Sequence, residues 1–346
     1  MTSASSAYAI YFNEGPGYLF VAHLGRGFSG KAMLVRSCAH PHKLYVRKRV
    51  QGKSLQNEYG TRYDEIFRYP PFKYVPELID WTDYGQATYS MTMQFCNGGS
   101  LQDLLSNPVF NESHPVAEIF MWRILTELLQ TLEFIHYERA VAHLDLLPQN
   151  VFLHWSDKAM ADRDNSGQHL PEVYLGDFGL ADAIHLGHMQ YDLQMLHTTM
   201  IITGLGMSLV AFDARDWKER ISRVYSTELR TCLAMLPAPW GFSEAATRVD
   251  ETGSSTKELR ARIMPIALKK MAQLERKRQM VDYRFTKPTI ATEVKLNKAK
   301  SELDVEDIDE PFSYALVDQE TSAVFKVERK AGAITPRAAG KGYIWV

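Results

Sequence analysis

Two short segments carry most of the information about the fold of this chain: HLDLLPQN at residues 143–150 and GDFGL at residues 176–180. Each contains an acidic residue in a loop setting, Asp145 in the first and Asp177 in the second. An Asp in a loop that follows a helix is in most proteins a turn or cap residue, so neither segment is specific by itself. The two together, separated by a polar insert at residues 156–171, form a far more specific pattern.

Short apolar runs in the first hundred residues predict β-strands, because each run has strand length and is bounded by Gly, Ser, His or Pro. The predicted strands are residues 18–22, 32–35, 44–46, 75–80 and 89–95. Between the third and the fourth strand, residues 55–67 contain no proline and precede Tyr69-Pro70-Pro71, so they predict a helix. A small antiparallel sheet with one helix is therefore expected.

The later part of the chain is predicted to be helical. Residues 116–136 place apolar side chains three and four positions apart, as an amphipathic helix does. Further helices are predicted at residues 193–209, 227–236 and 257–281, the last with a basic, solvated face. Residues 301–310 are strongly acidic, and the sequence from there to Val346 has no clear period. Because blocks of charge resist burial, this tail is expected to be partly mobile.

The two opening segments also resemble a known family. HLDLLPQN resembles the catalytic loop of protein kinases, usually written H-R-D-L-K-x-x-N, and GDFGL resembles their metal-binding D-F-G. The resemblance covers about residues 17–209 and implies an α+β, two-lobed protein kinase-like fold. Its N-lobe is an antiparallel β-sheet with one helix, and its C-lobe is mainly helical. The implied ranges are 15–245 for the domain, with lobes at about 15–95 and about 96–245, and 246–346 for a C-terminal extension.

The resemblance assigns roles to residues of both segments. Phosphoryl transfer needs a carboxylate near the attacking hydroxyl and further oxygen ligands for magnesium. Asp145 takes the first role in the implied site, and Asn150 and Asp177 are the implied ligands of Mg²⁺.

The implied phosphate site lies upstream. Gly25, Gly27 and Gly30 form a G-x-G-x-x-G between two predicted strands, where backbone amides could approach phosphate oxygens closely. A plain hairpin turn is the alternative interpretation of this motif. Lys48 ends a strand that resembles the V-A-I-K of the family, and Glu58 in the next helix is its implied partner.

The implied adenine site is the connection between the lobes. Met93 is expected to limit the pocket, while Gln94, Phe95 and Cys96 are expected to line the edge of the adenine, and Asp103 to face the ribose. The alternative is an edge strand that leads through a glycine turn into a helix, with no ligand.

Several residues depart from the family pattern. Leu144 replaces the usual arginine and Leu147 the lysine of Ser/Thr kinases, while Gln149 does not supply the arginine of tyrosine kinases. Losing a cation near the transferred phosphate can lower the rate about a hundredfold or more. The next helix anchor, Asp192, lies only 192 − 177 = 15 positions after Asp177, and no A-P-E is present. The segment that docks a peptide substrate is therefore expected to be missing or replaced.

Composition excludes some classes of partner. The 346 residues have a formal net charge of −2, which gives no reason to expect nucleic acid or a membrane surface as partner. The odd number of cysteines, Cys38, Cys96 and Cys232, fits a reducing, intracellular compartment better than a disulfide framework. The N-terminus does not read as a signal peptide, and the apolar stretch at 200–212 is too short to span a membrane, so a soluble protein is expected.

The leading functional hypothesis follows from the resemblance. It is a protein that binds ATP and Mg²⁺ and transfers the terminal phosphate to Ser or Thr hydroxyls of a protein substrate, with weak activity. One alternative is a pseudokinase, a nucleotide-binding scaffold without turnover. The other is a small-molecule kinase of related fold, which needs no peptide-docking segment. The sequence specifies neither a substrate nor a partner.

Overall fold

The computed structural model of the chain describes residues 8–12, 17–27, 30–40, 43–51, 71–83, 88–106, 115–156, 170–206, 217–238, 254–276, 313–318, 324–328, 337–338 and 344–345. The chain divides into two compact units. The sheet unit comprises Met1–Lys53, Leu78–Phe95 and Thr289–Val346, and the helical unit comprises Ser54–Glu77 and Cys96–Pro288.

An antiparallel β-sheet forms the main part of the sheet unit. The first strands of the chain are β1 (Tyr8–Phe12), β2 (Tyr18–Gly27), β3 (Gly30–Ser37), β4 (Leu44–Gln51), β5 (Leu78–Asp83) and β6 (Thr88–Gln94). Strands β2 to β6 make one sheet in the order β2-β3-β4-β6-β5. The predicted strands are all present, although the one predicted at 75–80 begins only at Leu78. Most strands extend beyond the apolar runs, because cross-strand pairing continues through polar residues to the turn, where Gly27 pairs with Gly30.

Strand β4 sends neighbouring side chains to opposite faces of this sheet. Lys48 pairs with Ala32 on one side and with Met91 on the other. Arg47 pairs with Thr92, and its guanidinium donates to Ser90 Oγ at 2.7 Å. Arg47 and Lys48 therefore lie on opposite faces of the sheet, and both side chains are more than nine-tenths buried.

The helical unit contains the next helices and short strands of the chain. These are α1 (Leu101–Leu105), α2 (Glu118–Glu133), β7 (Val141–Ala142), β8 (Val151–His154), β9 (Glu172–Leu175), β10 (Asp182–Ala183), α3 (Leu186–Leu205), α4 (Trp217–Val224), α5 (Thr227–Leu233) and α6 (Thr256–Arg276). Helix α2 continues directly into a π-helical turn, Phe134–Glu138. Strand β7 pairs with β10, and β8 pairs with β9.

Helices α2 and α3 form the core of the helical unit. Trp122 and Phe120 of α2 are completely buried, and α3 is buried on all sides from Met195 to Leu205. A helix without an exposed face has no amphipathic period, so its start is hard to read from the sequence. The helix predicted at 193–209 is present as α3, but it begins earlier, where the side chain of His185 accepts a hydrogen bond from His188 N, and it ends at Leu205, where Gly206 is its C-cap. Histidine is not among the common N-cap residues.

Helix α6 confirms the helix predicted at 257–281 as far as Arg276, and the last five predicted residues lie outside the described part of the chain. It packs on α2 through a buried stripe that contains Leu259, Ile263 and Ala267. Lys257 and Lys269 on its other side are exposed, as the predicted basic face requires. None of the helices in the described part of the chain combines the length and the apolar character that a membrane crossing needs.

The C-terminal strands were not predicted. They are β11 (Ser313–Asp318), β12 (Val324–Glu328), β13 (Arg337–Ala338) and β14 (Ile344–Trp345). Strand β11 pairs antiparallel with β1, so that Tyr8 faces Asp318, and β12 pairs with β11. A strand whose partner lies at the other end of the chain has no local signal of pairing, and this explains the miss.

Three predictions concern residues that the structure does not describe. The helix at 55–67 with Glu58, the acidic residues 301–310 and most of the polar insert at 156–171 lie outside the described residues.

Candidate functional site

Strands β8 and β9 bring the two opening segments together. Asn150 immediately precedes β8, and Gly176 and Asp177 immediately follow β9. Because the two strands are antiparallel, with Val151 opposite Leu175, the end of the first segment lies beside the start of the second. Gly176 N donates to Asn150 O at 3.0 Å. The pairing therefore places the two candidate metal ligands at the same end of one hairpin.

His143 connects the two segments a second time. Asp145 N donates to its Nδ1 at 3.2 Å, so the ring proton sits on Nε2, which donates to Gly176 O at 2.9 Å. Complete burial lowers the pKa of His143, although the nearby charge of Asp192 opposes this shift. The ring also contacts the buried Phe178 edge to face, with centroids 4.8 Å apart. A neutral, fully bonded imidazole thus fixes both segments.

The buried carboxylate of Asp192 holds the backbone of the first segment. Its Oδ2 accepts from His143 N at 2.8 Å, and its Oδ1 accepts from Leu144 N at 2.7 Å. Leu144 has a φ of 62°, in the left-handed region that disfavours a side chain. The predicted role of Asp192 as the anchor of the next helix is confirmed, since it lies in α3 and binds the loop directly.

The carboxylate of Asp145 is held by the neighbouring Asn150. Asn150 Nδ2 donates to Asp145 O at 2.8 Å and to Asp145 Oδ2 at 2.7 Å. Both partners can only accept, so the NH₂ group of Asn150 must face Asp145 and its Oδ1 must point away. The turn at Pro148–Asn150 creates this arrangement within one loop.

Asp177 is exposed and has an unusual backbone. Its φ of 55° is left-handed, and its Oδ1 accepts from Gly179 N at 3.3 Å, which starts the short turn Phe178–Leu180. A Cβ at Gly176 would lie 2.8 Å from the ring of Phe152, so this position requires glycine. Close packing before Asp177 and a hydrogen bond after it define where its carboxylate points.

Asn150 and Asp177 fit magnesium in their chemistry. Mg²⁺ prefers oxygen ligands and is commonly held by one or two protein side chains, with water and phosphate oxygens completing its shell. An amide oxygen turned away from Asp145 and an exposed carboxylate at adjacent strand ends match this requirement. In the described ranges no three His, Cys, Asp or Glu side chains cluster as an independent metal site.

Ordered elements make up most of the chain between Asp177 and Asp192. The turn Phe178–Leu180, β10 and the first residues of α3 follow one another, and Ala183 of β10 pairs with Val141 of β7. The residues between these elements are Ala181, Ile184 and His185, so this part of the chain contains no long loop. That the peptide-docking segment is missing or replaced stays a prediction.

The candidate adenine residues divide between the two units. Met93 and Gln94 end β6, and Phe95 ends that part of the sheet unit. Cys96 begins the next part of the helical unit, and its burial raises the pKa of the thiol to about 12. Asp103 Oδ2 accepts from the N and Oγ of Ser100, each at 2.7 Å, in a capping box of α1. The contact of Asp103 with a ribose stays a prediction beside this structural role.

The candidate phosphate residues lie on the sheet. Lys48 shares one face of the sheet with Ala32 and Met91, by the alternation of their strands. Its implied partner, Glu58, lies outside the described residues. No heavy atom of the described residues lies within 4 Å of a Cβ built on Gly25, so close packing against these residues does not explain this glycine. Gly30 has a φ of +143°, and its Cβ would lie 2.2 Å from Arg49 O, so strand packing alone explains this glycine.

His136 was missed by sequence analysis. It is buried in the π-helical turn, and its Nε2 lies 2.9 Å from Asp192 Oδ2. The neighbouring Ile135 fits the apolar spacing of α2, so His136 looked like an ordinary position of that helix. A π-helical turn adds one residue to the helix, and no periodic pattern in the sequence marks it.

Comparisons with known proteins agree with this geometry. The family model described as "Protein kinase domain" matches residues 18–201. The chain is 32% identical over 122 residues to the mitosis inhibitor protein kinase SWE1 of Candida albicans, a match covering 35% of this chain and 9% of that protein. It is 26% identical over 174 residues to the serine/threonine-protein kinase Nek2 of Mus musculus, covering 47% of this chain and 35% of that protein.

A solved structure supports the fold. The crystal structure of Rad53 1-466 in complex with AMP-PNP matches with a TM-score of 0.50 and 16% identity, covering 70% of this chain and 64% of that chain. This likeness confirms the predicted α+β fold class. The chain spans less than two thirds of the length of these proteins, so their complete activities do not transfer to it directly.

Proposed function

Because this chain belongs to the protein kinase domain family, we propose that it binds ATP with magnesium and transfers the terminal phosphate to Ser or Thr hydroxyls of a protein. The observation that carries the proposal is the cluster of Asp145, Asn150 and Asp177 at the β8–β9 hairpin. The buried Lys48 on the sheet supplies the positive charge that phosphate oxygens require.

Asp145 acts on the substrate hydroxyl in this proposal. Its Oδ2 already accepts from Asn150, and a carboxylate has further lone pairs with which to accept the hydroxyl proton. The bond from Asp145 N to His143 fixes the backbone at this point. The carboxylate is therefore oriented before any substrate arrives.

The remaining residues position the nucleotide. Asn150 Oδ1 and the Asp177 carboxylate hold the metal ion, and Lys48, paired with Glu58, contacts phosphate oxygens. When bound, magnesium neutralises charge on the phosphates. Met93, Gln94, Phe95 and Cys96 line the adenine site, and Asp103 faces the ribose.

The departures from the family indicate weak, constitutive activity. Leu147 leaves the site without the cation that stabilises the transferring phosphate. The residues between Leu180 and Tyr191 contain no Ser or Thr, and Leu144 removes the arginine that would pair with a phosphorylated segment. Phosphorylation of a Ser or Thr in this short connection therefore cannot switch the activity.

Two other functions each have one observation in their favour. The apolar Leu144 and Leu147 beside Asp145 favour a pseudokinase that binds nucleotide without turnover. The short, ordered connection from Asp177 to Asp192 favours a small-molecule kinase, which needs no peptide-docking segment.

The decisive experiment measures ATP binding with and without magnesium, together with phosphate transfer, for the wild type and Asp145→Asn. Asn at 145 keeps the size of the side chain and removes its charge. We expect both proteins to bind ATP and only the wild type to show turnover. Turnover that survives Asp145→Asn unchanged would contradict kinase chemistry at this site. Binding without turnover in the wild type would select the pseudokinase.

A further inference from the structure

The first residue of helix α6 contacts the support of the catalytic loop. Thr256 Oγ1 lies 2.8 Å from Nδ1 of His136, and both residues are buried, with exposed fractions of 0% and 3%. Helix α6 lies beyond residues 18–201, the part of the chain that matches the family. The contact thus joins a segment outside the family match to the centre of the helical unit.

The hydrogen bond between Thr256 and His136 forms whichever partner donates. His136 Nε2 lies 2.9 Å from Asp192 Oδ2 and donates to this carboxylate oxygen. A hydroxyl can both donate and accept, so Thr256 Oγ1 can bond to Nδ1 with or without a proton on that nitrogen. The Thr256 hydroxyl therefore holds the His136 ring in the orientation in which Nε2 contacts Asp192 Oδ2.

Asp192 in turn binds the backbone of the catalytic loop through both oxygens of its carboxylate. The same Oδ2 accepts from His143 N at 2.8 Å, and Oδ1 accepts from Leu144 N at 2.7 Å. The left-handed Leu144 directly precedes Asp145, whose own N–H donates to His143. A displaced Asp192 carboxylate would release the backbone on which Asp145 depends.

Two further contacts, one from α6 and one from the residue two positions before it, hold this region. Arg260 Nη1 pairs with Glu133 Oε2 at 2.6 Å, and Glu133 is the last residue of α2 before the π-helical turn that contains His136. Ser254 O accepts from Gln190 Nε2 at 3.2 Å, two residues before Asp192 in α3. The start of α6 is thus attached to the elements on both sides of the His136–Asp192 pair.

We propose that Thr256 is a positioning residue, through which helix α6 holds the catalytic loop in its active geometry by way of His136 and Asp192. This rests on the proposed function, because it explains how Asp145 is oriented for phosphate transfer. Thr256 itself is buried and touches no reacting group.

The test compares three variants of the full chain. Thr256→Val keeps the shape of the side chain and removes the hydroxyl, whereas Thr256→Ser retains it. Ser255→Ala is the matched control: Ser255 Oγ caps the same helix by accepting from Glu258 N at 3.2 Å, without contacting His136. Hydrogen exchange at the Leu144 amide reports on the loop without needing any catalysis, and phosphate transfer supplies kcat and KM.

We expect Thr256→Val to speed exchange at Leu144 about tenfold, because a buried partner is left unsatisfied. It should lower kcat by a similar factor and change the KM for ATP less than about twofold, since the residues that bind nucleotide are untouched. Thr256→Ser should match the wild type, and Ser255→Ala should lower the melting temperature without changing exchange at Leu144. Thr256→Ala, which has high helix propensity, gives the same comparison if Thr256→Val folds poorly.

The outcomes separate this inference from the proposed function. Unchanged exchange at Leu144 in a folded Thr256→Val or Thr256→Ala would overturn the positioning role. Equal acceleration in Ser255→Ala would also overturn it, because general loosening of α6 would then be the cause. If the wild type shows no phosphate transfer, the proposed function is rejected. If Thr256→Val then still speeds exchange at Leu144 and Thr256→Ser does not, the positioning of the loop by Thr256 is supported.

Discussion

Single residues with unusual backbone conformations define the site. Leu144 and Asp177 both have left-handed φ values, 62° and 55°, although neither is glycine. Such a conformation costs an L-residue about 1–2 kcal/mol. Hydrogen bonds offset the strain at both places, from Leu144 N to Asp192 and from Gly179 N to Asp177. The site therefore has a defined backbone before it binds any ligand.

Lys48→Ala should weaken ATP binding at least about tenfold while the fold remains intact, because a charge-assisted hydrogen bond contributes roughly 1.5–3 kcal/mol. Lys43→Ala, at an exposed lysine just before the same strand, is the control and should bind as the wild type does. Isothermal titration calorimetry measures both. Equal ATP affinity in Lys48→Ala and the wild type would remove Lys48 from the site.

Asp177→Asn should abolish most of the magnesium dependence of ATP binding, since a charged metal ligand is replaced by a neutral one. Asp182→Asn changes a nearby carboxylate, which accepts from Ala183 N at 2.6 Å, and it should keep the dependence. Titrations with and without magnesium make the comparison. If magnesium improves binding equally in Asp177→Asn and the wild type, Asp177 is not a ligand.

Leu147→Lys should raise turnover about tenfold or more, because an ammonium near the transferring phosphate stabilises its developing charge. Leu147→Met keeps the size of the side chain without the charge and should leave turnover unchanged. Phosphate transfer or ATP hydrolysis at saturating ATP is the measurement. A rate that rises equally in both variants would show that charge is not the cause.

At the scale of elements, two hairpins carry the candidate residues. The β8–β9 pair places Asn150 next to Gly176 and Asp177, and the β2–β3 pair contains the three glycines. The glycines of the second hairpin have different physical roles. Gly30 is required by a positive φ and by the carbonyl of Arg49, whereas a Cβ at Gly25 meets no described atom.

Gly30→Ala should lower the free energy of unfolding by about 1–3 kcal/mol, because the added methyl group overlaps Arg49 O and the left-handed backbone disfavours it. Gly25→Ala in the same hairpin should stay within about 0.5 kcal/mol of the wild type. Urea unfolding of the three proteins tests the difference. Equal stabilities would mean that the hairpin relaxes freely around a side chain at position 30.

At the scale of the whole molecule, buried ionisable groups make stability depend on pH. Burial raises the pKa of Glu127 in α2 to about 7, although Arg123 and the N–H of Val173 oppose the shift. Burial lowers the pKa of His197 in α3 to about 4. The two groups act in opposite directions. The folded protein buries Glu127 in its protonated form, so the contribution of Glu127 to the free energy of unfolding is lost as pH rises. It buries His197 in its neutral form, so protonation of His197 destabilises the fold as pH falls.

Glu127→Gln isolates one of these effects. Glutamine still accepts from Val173 N but cannot ionise. In the wild type, the protonated Glu127 contributes its full stabilisation below about pH 4.5 and loses it as pH rises through about 7. Glu127→Gln should show no such loss. The wild type should lose on the order of 1–3 kcal/mol relative to Glu127→Gln over this range. Urea unfolding at both ends of the range is the measurement. The contribution of His197 is common to both proteins and cancels, so a constant difference would contradict the raised pKa.

Much of the fold and part of the site could be predicted from the sequence. Strands β2 to β6 and helices α2, α3 and α6 were predicted because apolar spacing over consecutive residues reports directly on local structure. Asp192 was predicted as an anchor from its place near the start of a helix. The start of α3 was misplaced because His185 is an uncommon cap, and β11 was missed because its partner, β1, is at the other end of the chain.

The sequence by itself determined which chemical groups are present: the segments around Asp145 and Asp177, the lysine of β4, and the missing cations at Leu144 and Leu147. Local composition is enough for this, because each motif lies within a few consecutive residues. Only the tertiary structure decided what holds these groups in place. The contacts of Asp192 with His143, and of His136 with Thr256, join residues 49 and 120 positions apart along the chain. Such contacts leave no local pattern, since they form only when α2, α3 and α6 pack together.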